Sequence, residues 1–171
     1  GHVRIYENNN GTWTQIGSDI DGESSSDHSG FSVSLSSDGS VVAIGARYND
    51  GGGGDSGHVR IYENNNGTWT QIGSDIDGEG SSDYFGWSVS LSSDGSVVAI
   101  GAQSNDGGAS NSGHVRIYEN NNGTWTQIGS DIDGESSYDY SGDQVSLSAD
   151  GSVVAIGAYA NDGGGSNSGH V

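Results

Sequence analysis

One stretch of 23 residues, GHVRIYENNNGTWTQIGSDIDGE, occurs three times in the chain without a single difference between the copies. The copies begin at residues 1, 57 and 113, and a fourth begins at 169–171. The spacing divides the chain into units 1–56, 57–112 and 113–168. A repeat of this length is typical of a supersecondary unit that buries its apolar side chains against copies of itself. We therefore expect residues 1–171 to form a single repeat domain.

Each unit predicts four β-strands and no helix. The turn Asp38-Gly39 and the NNNG segments favour tight hairpins, because these residues tolerate the backbone angles that such turns need. The strands follow one another in the chain, so each unit is predicted to be an antiparallel meander, and four-stranded sheets repeated around an axis form a β-propeller. The predicted strands of one sheet, counted outwards from the axis, are 31–37, 40–46, 58–64 and 68–76.

The segment FGWSVSLSSDGSVVAIGA at 85–102, followed by GHVRIYE at 113–119, resembles the FG-GAP repeat. This repeat is the blade of integrin-like β-propellers and of many large bacterial surface proteins. The resemblance extends over essentially the whole chain and implies an all-β propeller fold. It is less specific for function, since the family includes adhesion domains, lectin-like modules and appendages of enzymes.

The chain departs from the family pattern in three ways. Only the second unit has the Phe-Gly pair, at Phe85-Gly86. The proline expected after Gly-Ala is replaced by Arg47, Gln103 and Tyr159. The short SSDGS turn stands where integrin-type blades often carry a calcium loop, so the resemblance does not imply calcium here.

Composition excludes several classes of partner. The chain has 23 acidic residues, four arginines, no lysine and a net charge of −19, whereas phosphate recognition depends on basic side chains. Nucleic acid and anionic membranes are therefore not expected as partners, and no apolar run is long enough for a membrane span. The small polar composition, rich in Asn, Gly, Ser and Asp, favours an extracellular or cell-surface location.

Three units are too few to close a ring, since propellers have about four to eight blades. The repeat is also out of phase with the blade: residues 1–20 supply strands three and four of one blade, and 143–158 supply strands one and two of another. One interpretation is a homodimer that closes a six-bladed ring and leaves no strand edge unpaired. The other is an arc of a longer array, because 169–171 would compete with 1–3 of a partner.

Twelve of the 56 aligned columns differ between the units. Eleven of them lie in the windows 24–32 and 47–55 and their equivalents, which are the loops predicted at one end of every blade. Aromatic and hydrogen-bonding side chains on loops of a rigid scaffold are typical of a recognition surface. The predicted ligand-binding residues on this variable face are His28, Phe31, Arg47, Tyr48, Tyr84, Phe85, Trp87, Gln103, Tyr138, Tyr140, Asp143 and Tyr159.

These observations predict a non-catalytic binding or adhesion module that recognises a glycan or a protein. The same loops also vary in repeats that drift after duplication without any selected ligand. The alternative is therefore a recently amplified or engineered symmetric propeller, whose role is self-assembly.

No catalytic motif is present, and carboxylates repeated identically in every unit are a poor basis for one active site. We predict no catalytic residue, no metal ligand and no cofactor. The acidic segments at 19–27 and 49–56 leave calcium as an alternative, because calcium takes carboxylate and carbonyl oxygens. The invariant His2, His58 and His114 lack a cysteine or an i, i+4 partner and are predicted to pack within strands.

Overall fold

The computed structural model describes all residues 1–171 and contains strands and turns only. No helix of the length and apolarity needed to cross a membrane is present. The strands are β1 His2–Val3, β2 Tyr6–Asn9, β3 Thr12–Gln15, β4 Ile20–Asp21, β5 Ser32–Leu35, β6 Val41–Ala46, β7 His58–Asn65, β8 Thr68–Gln71, β9 Ile76–Asp77, β10 Ser88–Leu91, β11 Val97–Ala102, β12 His114–Asn121, β13 Thr124–Gln127, β14 Ile132–Asp133, β15 Ser141–Leu147 and β16 Val154–Ala158.

Two large antiparallel sheets have the strand order that the sequence predicts. The first runs β5-β6-β7-β8 and the second β10-β11-β12-β13, so strands adjacent in the chain are adjacent in the sheet. Strands β1 to β4 precede the first large sheet and pair only among themselves, and β15 pairs with β16 after the second. Two complete four-stranded sheets therefore lie between two partial ones, as the phase of the repeat predicts.

The fourth strand of each large sheet is interrupted, which corrects the continuous strand predicted at 68–76. Tyr62 of β7 lies opposite Gln71 of β8, whereas His58 lies opposite Asp77 of β9. The same interval therefore holds two more residues on the fourth strand than on its partner, which is the definition of a bulge. The bulge brings Asp75 to Arg60, whose guanidinium donates two hydrogen bonds of 3.1 Å to the carboxylate.

The large sheets pack face to face through one apolar core. Ile61 and Ile76 of the first sheet share this cluster with Val89 and Ile100 of the second. A smaller cluster joins the N-terminal strands to the first large sheet through Ile5, Ile20, Val42 and Ile44. Since each sheet buries one face on its neighbour, the core is a set of layers and not a single centre.

Side-chain and backbone hydrogen bonds repeat at each junction between sheets. The indole of Trp69 donates to the Ile16 carbonyl, and the indole of Trp125 donates to the Ile72 carbonyl, both at 2.9 Å. At one end, the SSDGS turns join through backbone amides, from Ser37 to the Ser93 carbonyl and from Ser93 to the carbonyl of residue 149. Backbone bonds tolerate any side chain, which explains why residue 149 is an alanine.

Candidate functional site

The variable loops lie together at the end opposite the SSDGS turns. The backbone amide of Tyr48 donates to the Asp27 carbonyl, and that of Tyr84 to the Asp55 carbonyl, so the two variable windows contact each other. Several loop residues have positive φ, among them His28 at 57° and Tyr84 at 58°. Positive φ is uncommon outside glycine, and here it recurs in the loop before the first strand of every unit.

Five of the predicted site residues form one cluster, in which four aromatic side chains group with Arg47. The Arg47 guanidinium lies 3.7 Å from the ring centroid of Phe31, 4.2 Å from that of Trp87 and 4.5 Å from that of Tyr48. The Phe31 and Trp87 centroids are 5.0 Å apart, and Tyr48 and Tyr84 pack edge to face at 5.4 Å. We call these five residues the central cluster.

Arg47 is the one arginine without a carboxylate partner. Arg4, Arg60 and Arg116 each pair with an aspartate, whereas the Nε of Arg47 is buried and makes no hydrogen bond. The central cluster therefore presents an unpaired cation between aromatic faces in a chain of net charge −19.

Two concavities adjoin the central cluster. A cleft of about 450 Å³ lies between the first strands of three successive units and includes Phe31, Trp87 and Asp143. The indole of Trp87 donates a hydrogen bond of 3.1 Å to Asp143 across this cleft. The second concavity, of about 430 Å³, is lined by His28, Tyr48 and Tyr84 together with Asp27, Asp50 and Asp55.

The other predicted site residues separate into an exposed group and a buried group. Tyr140 stacks on Tyr159 with ring centroids 5.4 Å apart, and its ring centroid is 6.4 Å from that of Tyr138. These three residues make a second aromatic group in the third unit. Phe85 is only 1% exposed and packs edge to face on His114 and Tyr118, so its prediction as a surface ligand-binding residue is wrong. Gln103 is 8% exposed and its side-chain oxygen is buried, so this residue also lies below the surface.

The invariant residues build a polar cluster at the junction of each pair of units, which the sequence did not predict as a site. In the first such junction, Glu23 contacts Arg60, which also binds Asp75, and all three lie near the buried His58. Glu79, Arg116, Asp131 and His114 repeat this arrangement in the second. The histidine with the glutamate and aspartate of each cluster could hold a metal ion.

The environment of these clusters shifts several pKa values. Burial lowers the pKa of His58 and of His114, so both imidazoles are neutral at pH 7. Hydrogen bonds from Arg116 and then from Gln127 outweigh burial and lower the pKa of Asp131 to about 2. Burial raises the pKa of Asp83, whose carboxylate accepts a 2.7 Å hydrogen bond from Asn105.

Carboxylate-to-amide pairs explain why two polar columns are invariant within the variable loops. Asp27 accepts from Asn49 at 3.0 Å, and the Asp139 carboxylate accepts from Asn161 at 2.8 Å. Each pair joins the loop before the first strand to the loop after the second. The only available signal for them in the sequence was the identity of these columns within otherwise variable windows.

Comparison with known families agrees with this architecture. Residues 74–118 match the FG-GAP repeat family, and this segment runs from the end of the first large sheet into the third strand of the second. A comparison with curated proteins gave no match. Residues 74–118 therefore form an FG-GAP repeat, which confirms the resemblance drawn from the sequence, and the antiparallel sheets around them are consistent with an FG-GAP β-propeller.

Proposed function

We propose that the chain is a non-catalytic binding module of an extracellular or cell-surface protein, which recognises a glycan or a protein through the variable face. The observation that carries this proposal is the central cluster, where residues from two units combine around an arginine that no carboxylate neutralises. Aromatic faces stack on sugar rings and on protein side chains, and a guanidinium donates hydrogen bonds to either.

A glycan array and a peptide array probed with the 171-residue protein test this proposal. Trp87→Ala and Tyr84→Ala are expected to abolish any binding detected, because each removes one aromatic ring of the central cluster. Asn65→Ala is the control, since this exposed residue lies in an invariant turn outside the variable loops. Binding that survives both aromatic variants would contradict recognition by this face.

A second candidate function is self-assembly without a selected ligand. It is favoured by apolar side chains that are exposed in the first unit although their equivalents in the second unit are buried. Val33 is 55% exposed while its equivalent Val89 is 9% exposed, and Leu35 is 50% exposed while Leu91 is 7% exposed. The sequences around them are nearly the same, so the exposure reflects position at the end of the arc. Absence of binding on every array, together with assembly in solution, would favour this role.

We also propose that a second copy covers both ends of the arc and completes a ring. At one end, β16 borders a groove of about 460 Å³, lined partly by Ile132, Val154 and Ile156. In the large sheets this position beside the second strand is filled by the third strand. Strands β1 and β2 have the sequence of that third strand, so those of a second copy fit the groove.

The tryptophans give the ring proposal its most specific contact. Trp13 is 66% exposed and lacks the carbonyl that Trp69 and Trp125 find in the preceding unit. Ile128, the equivalent of Ile16 and Ile72, is 46% exposed at the other end. In a ring, Trp13 of one copy would donate to the Ile128 carbonyl of the other.

The C-terminal residues already occupy the position of one strand of this junction. The amide and carbonyl of His170 pair with those of Ala158, as His58 pairs with Ala46 in the first large sheet. Gly169, His170 and Val171 have the same sequence as residues 1–3, so residues 1–3 of a second copy would replace them without loss of contacts. Sedimentation equilibrium tests the ring: a particle of twice the 17.4 kDa chain mass supports it, and a monomer at all concentrations favours the arc of a longer array.

A further inference from the structure

Each polar cluster between the units contains a buried histidine nitrogen without a partner. The side chain of His58 is 4% exposed and that of His114 is 2% exposed, and neither Nδ1 atom makes a hydrogen bond. A buried polar atom without a hydrogen-bond partner is unfavourable in a folded protein. The same unpaired atom recurs at both junctions, so it is a property of the repeat.

Carboxylate oxygens surround the unpaired Nδ1 of His58 at distances too long for hydrogen bonds. The nearest is Oδ2 of Asp75 at 3.6 Å, followed by Oε2 of Glu23 and Oδ1 of Asp77, each at 4.0 Å. Ligand atoms around one tetrahedral zinc ion, at bond lengths of about 2.0–2.2 Å, lie about 3.3–3.6 Å apart. The Asp75 oxygen is already at such a distance from Nδ1, and the ligand atoms of Glu23, His58 and Asp75 all lie within 4.8 Å of one another. Closer approach of the half-exposed Glu23 and Asp77 carboxylates would complete the coordination.

The arginine of the cluster does not occupy this space. Arg60 contacts Oε1 of Glu23 and donates through Nε to Oδ1 of Asp75, so one oxygen of each carboxylate faces the guanidinium. The other oxygen of each faces His58, although Oδ2 of Asp75 also accepts from Arg60. Glu23, Asp75 and Asp77 bring three carboxylates to a cluster with one arginine, which leaves negative charge that a divalent cation would neutralise.

The second junction repeats the histidine, aspartate and glutamate of this arrangement, and Oδ2 of Asp131 likewise also accepts a hydrogen bond from Arg116, at 2.7 Å. Oδ2 of Asp131 lies 3.8 Å from Nδ1 of His114, and a carboxylate oxygen of Glu79 lies within 4.8 Å of both atoms. Arg116 contacts Oε1 of Glu79 and donates through Nε to Oδ1 of Asp131 at 2.8 Å, as Arg60 does in the first cluster.

We propose that each of these two clusters binds a divalent cation of the zinc class, ligated by the histidine Nδ1 and by the facing carboxylate oxygens. An imidazole among carboxylates suits zinc and similar transition metals, whereas calcium and magnesium take oxygen ligands almost alone. The sequence did not indicate the site, because its ligands come from two units, with the histidine at least 17 residues from every carboxylate. The ion would join neighbouring units and does not depend on the ligand proposed for the variable face.

Nuclear magnetic resonance of the full chain tests the proposal directly. The protein is uniformly labelled with ¹⁵N, freed of metal with a chelator, dialysed and titrated with ZnCl₂. We expect the Nδ1 resonances of His58 and His114 to shift on zinc addition, with saturation at one ion per cluster, while CaCl₂ leaves them in place. Resonances that do not move at saturating zinc would overturn the proposal without the need for any variant.

Variants assign the zinc to the clusters. His114→Gln is expected to reduce the zinc bound per chain, measured by isothermal titration calorimetry, by one equivalent, and His58→Gln by another. Glu79→Gln alters a half-exposed side chain, so it weakens the second site even if the buried histidine variants fold poorly. His28→Gln is the control, because His28 lies in a variable loop and is expected to leave zinc binding unchanged. Zinc binding that is equal in Glu79→Gln and the wild type would contradict the assignment.

Discussion

At the scale of single residues, identical side chains in different positions allow each contact to be tested within one molecule. Trp125 and Trp13 have the same local sequence, but only the Trp125 indole donates to a carbonyl of the preceding unit. We expect Trp125→Phe to lower the free energy of unfolding by about 1–2 kcal/mol, since one hydrogen bond and part of a buried ring are lost.

Trp13→Phe is the matched control for that experiment. In the monomer the side chain is exposed, so the change is expected to remain within about 0.5 kcal/mol. Urea unfolding at low protein concentration, followed by far-ultraviolet circular dichroism, measures both variants. Equal destabilisation by the two substitutions would show that the inter-sheet hydrogen bond contributes nothing.

The aspartates of the SSDGS turns predict a dependence of stability on pH. Hydrogen bonds from neighbouring serines, such as Ser92 and Ser96 around Asp94, hold the pKa of Asp38, Asp94 and Asp150 at about 2, below the ordinary value of 3.8. Because the folded pKa is lower than the unfolded pKa, these groups stabilise the fold fully above about pH 4 and lose that contribution as the pH falls towards 2.

Replacement of all three aspartates by asparagine isolates this contribution. The difference in melting temperature between the wild type and the triple variant is expected to be constant at pH 5 to 7 and to shrink between pH 4 and 2. Because His58 and His114 are unchanged in the variant, their titration cancels in the difference. A difference that stays constant down to pH 2 would contradict the role of these carboxylates.

At the scale of structural elements, burial between neighbouring units distinguishes the ion pairs of the repeat. Arg116 has a side chain 9% exposed and pairs with Asp131, whereas Arg4 makes the equivalent pair with Asp19 at 48% exposure. Removal of one partner from a buried pair costs about 3–5 kcal/mol, while exposed pairs contribute about 0–1 kcal/mol.

We therefore expect Arg116→Ala to be destabilising by about 3 kcal/mol and Arg4→Ala by less than about 1 kcal/mol. Thermal and urea unfolding of the two variants measure the difference. Similar values for both would mean that neighbouring units do not bury the ion pair in solution. The cost at Arg116 includes the carboxylates of Asp131 and Glu79 that are left without their cation.

The strands were predictable from the sequence because hairpin residues and alternating apolar residues are local signals. The bulge at 72–75 was not, since it depends on how the fourth strand pairs with the third, which no local signal in the sequence shows. In the same way, Phe85 was assigned to the surface because it lies in a variable column, although it belongs to the apolar core between the large sheets. Variation between repeats therefore identifies the loops that differ, but it does not show whether a differing side chain lies on the surface or in the core.

At the scale of the whole molecule, the ring proposal concerns apolar surface at the two ends of the arc. Tyr6, Trp13, Val33 and Leu35 are exposed at one end, and Ile128, Ile132 and Val153 at the other. Within the chain, the equivalents of these residues pack together, as Val41 and Ile72 do against the core that contains Val89 and Leu91. Contact between the two ends therefore needs only surfaces that already fit each other inside the protein.

Leu35→Glu is expected to prevent ring closure and to leave the monomer folded, because the side chain is half exposed in one chain and would be buried, with its charge unpaired, in the ring. Sedimentation equilibrium over a range of concentrations should show the wild type approaching twice the chain mass, while Leu35→Glu remains monomeric. Thr68→Glu adds the same charge to an exposed strand in a complete sheet and is expected to assemble like the wild type. If Leu35→Glu associates as strongly as Thr68→Glu, the ends of the arc are not the interface, and any dimer forms through another surface.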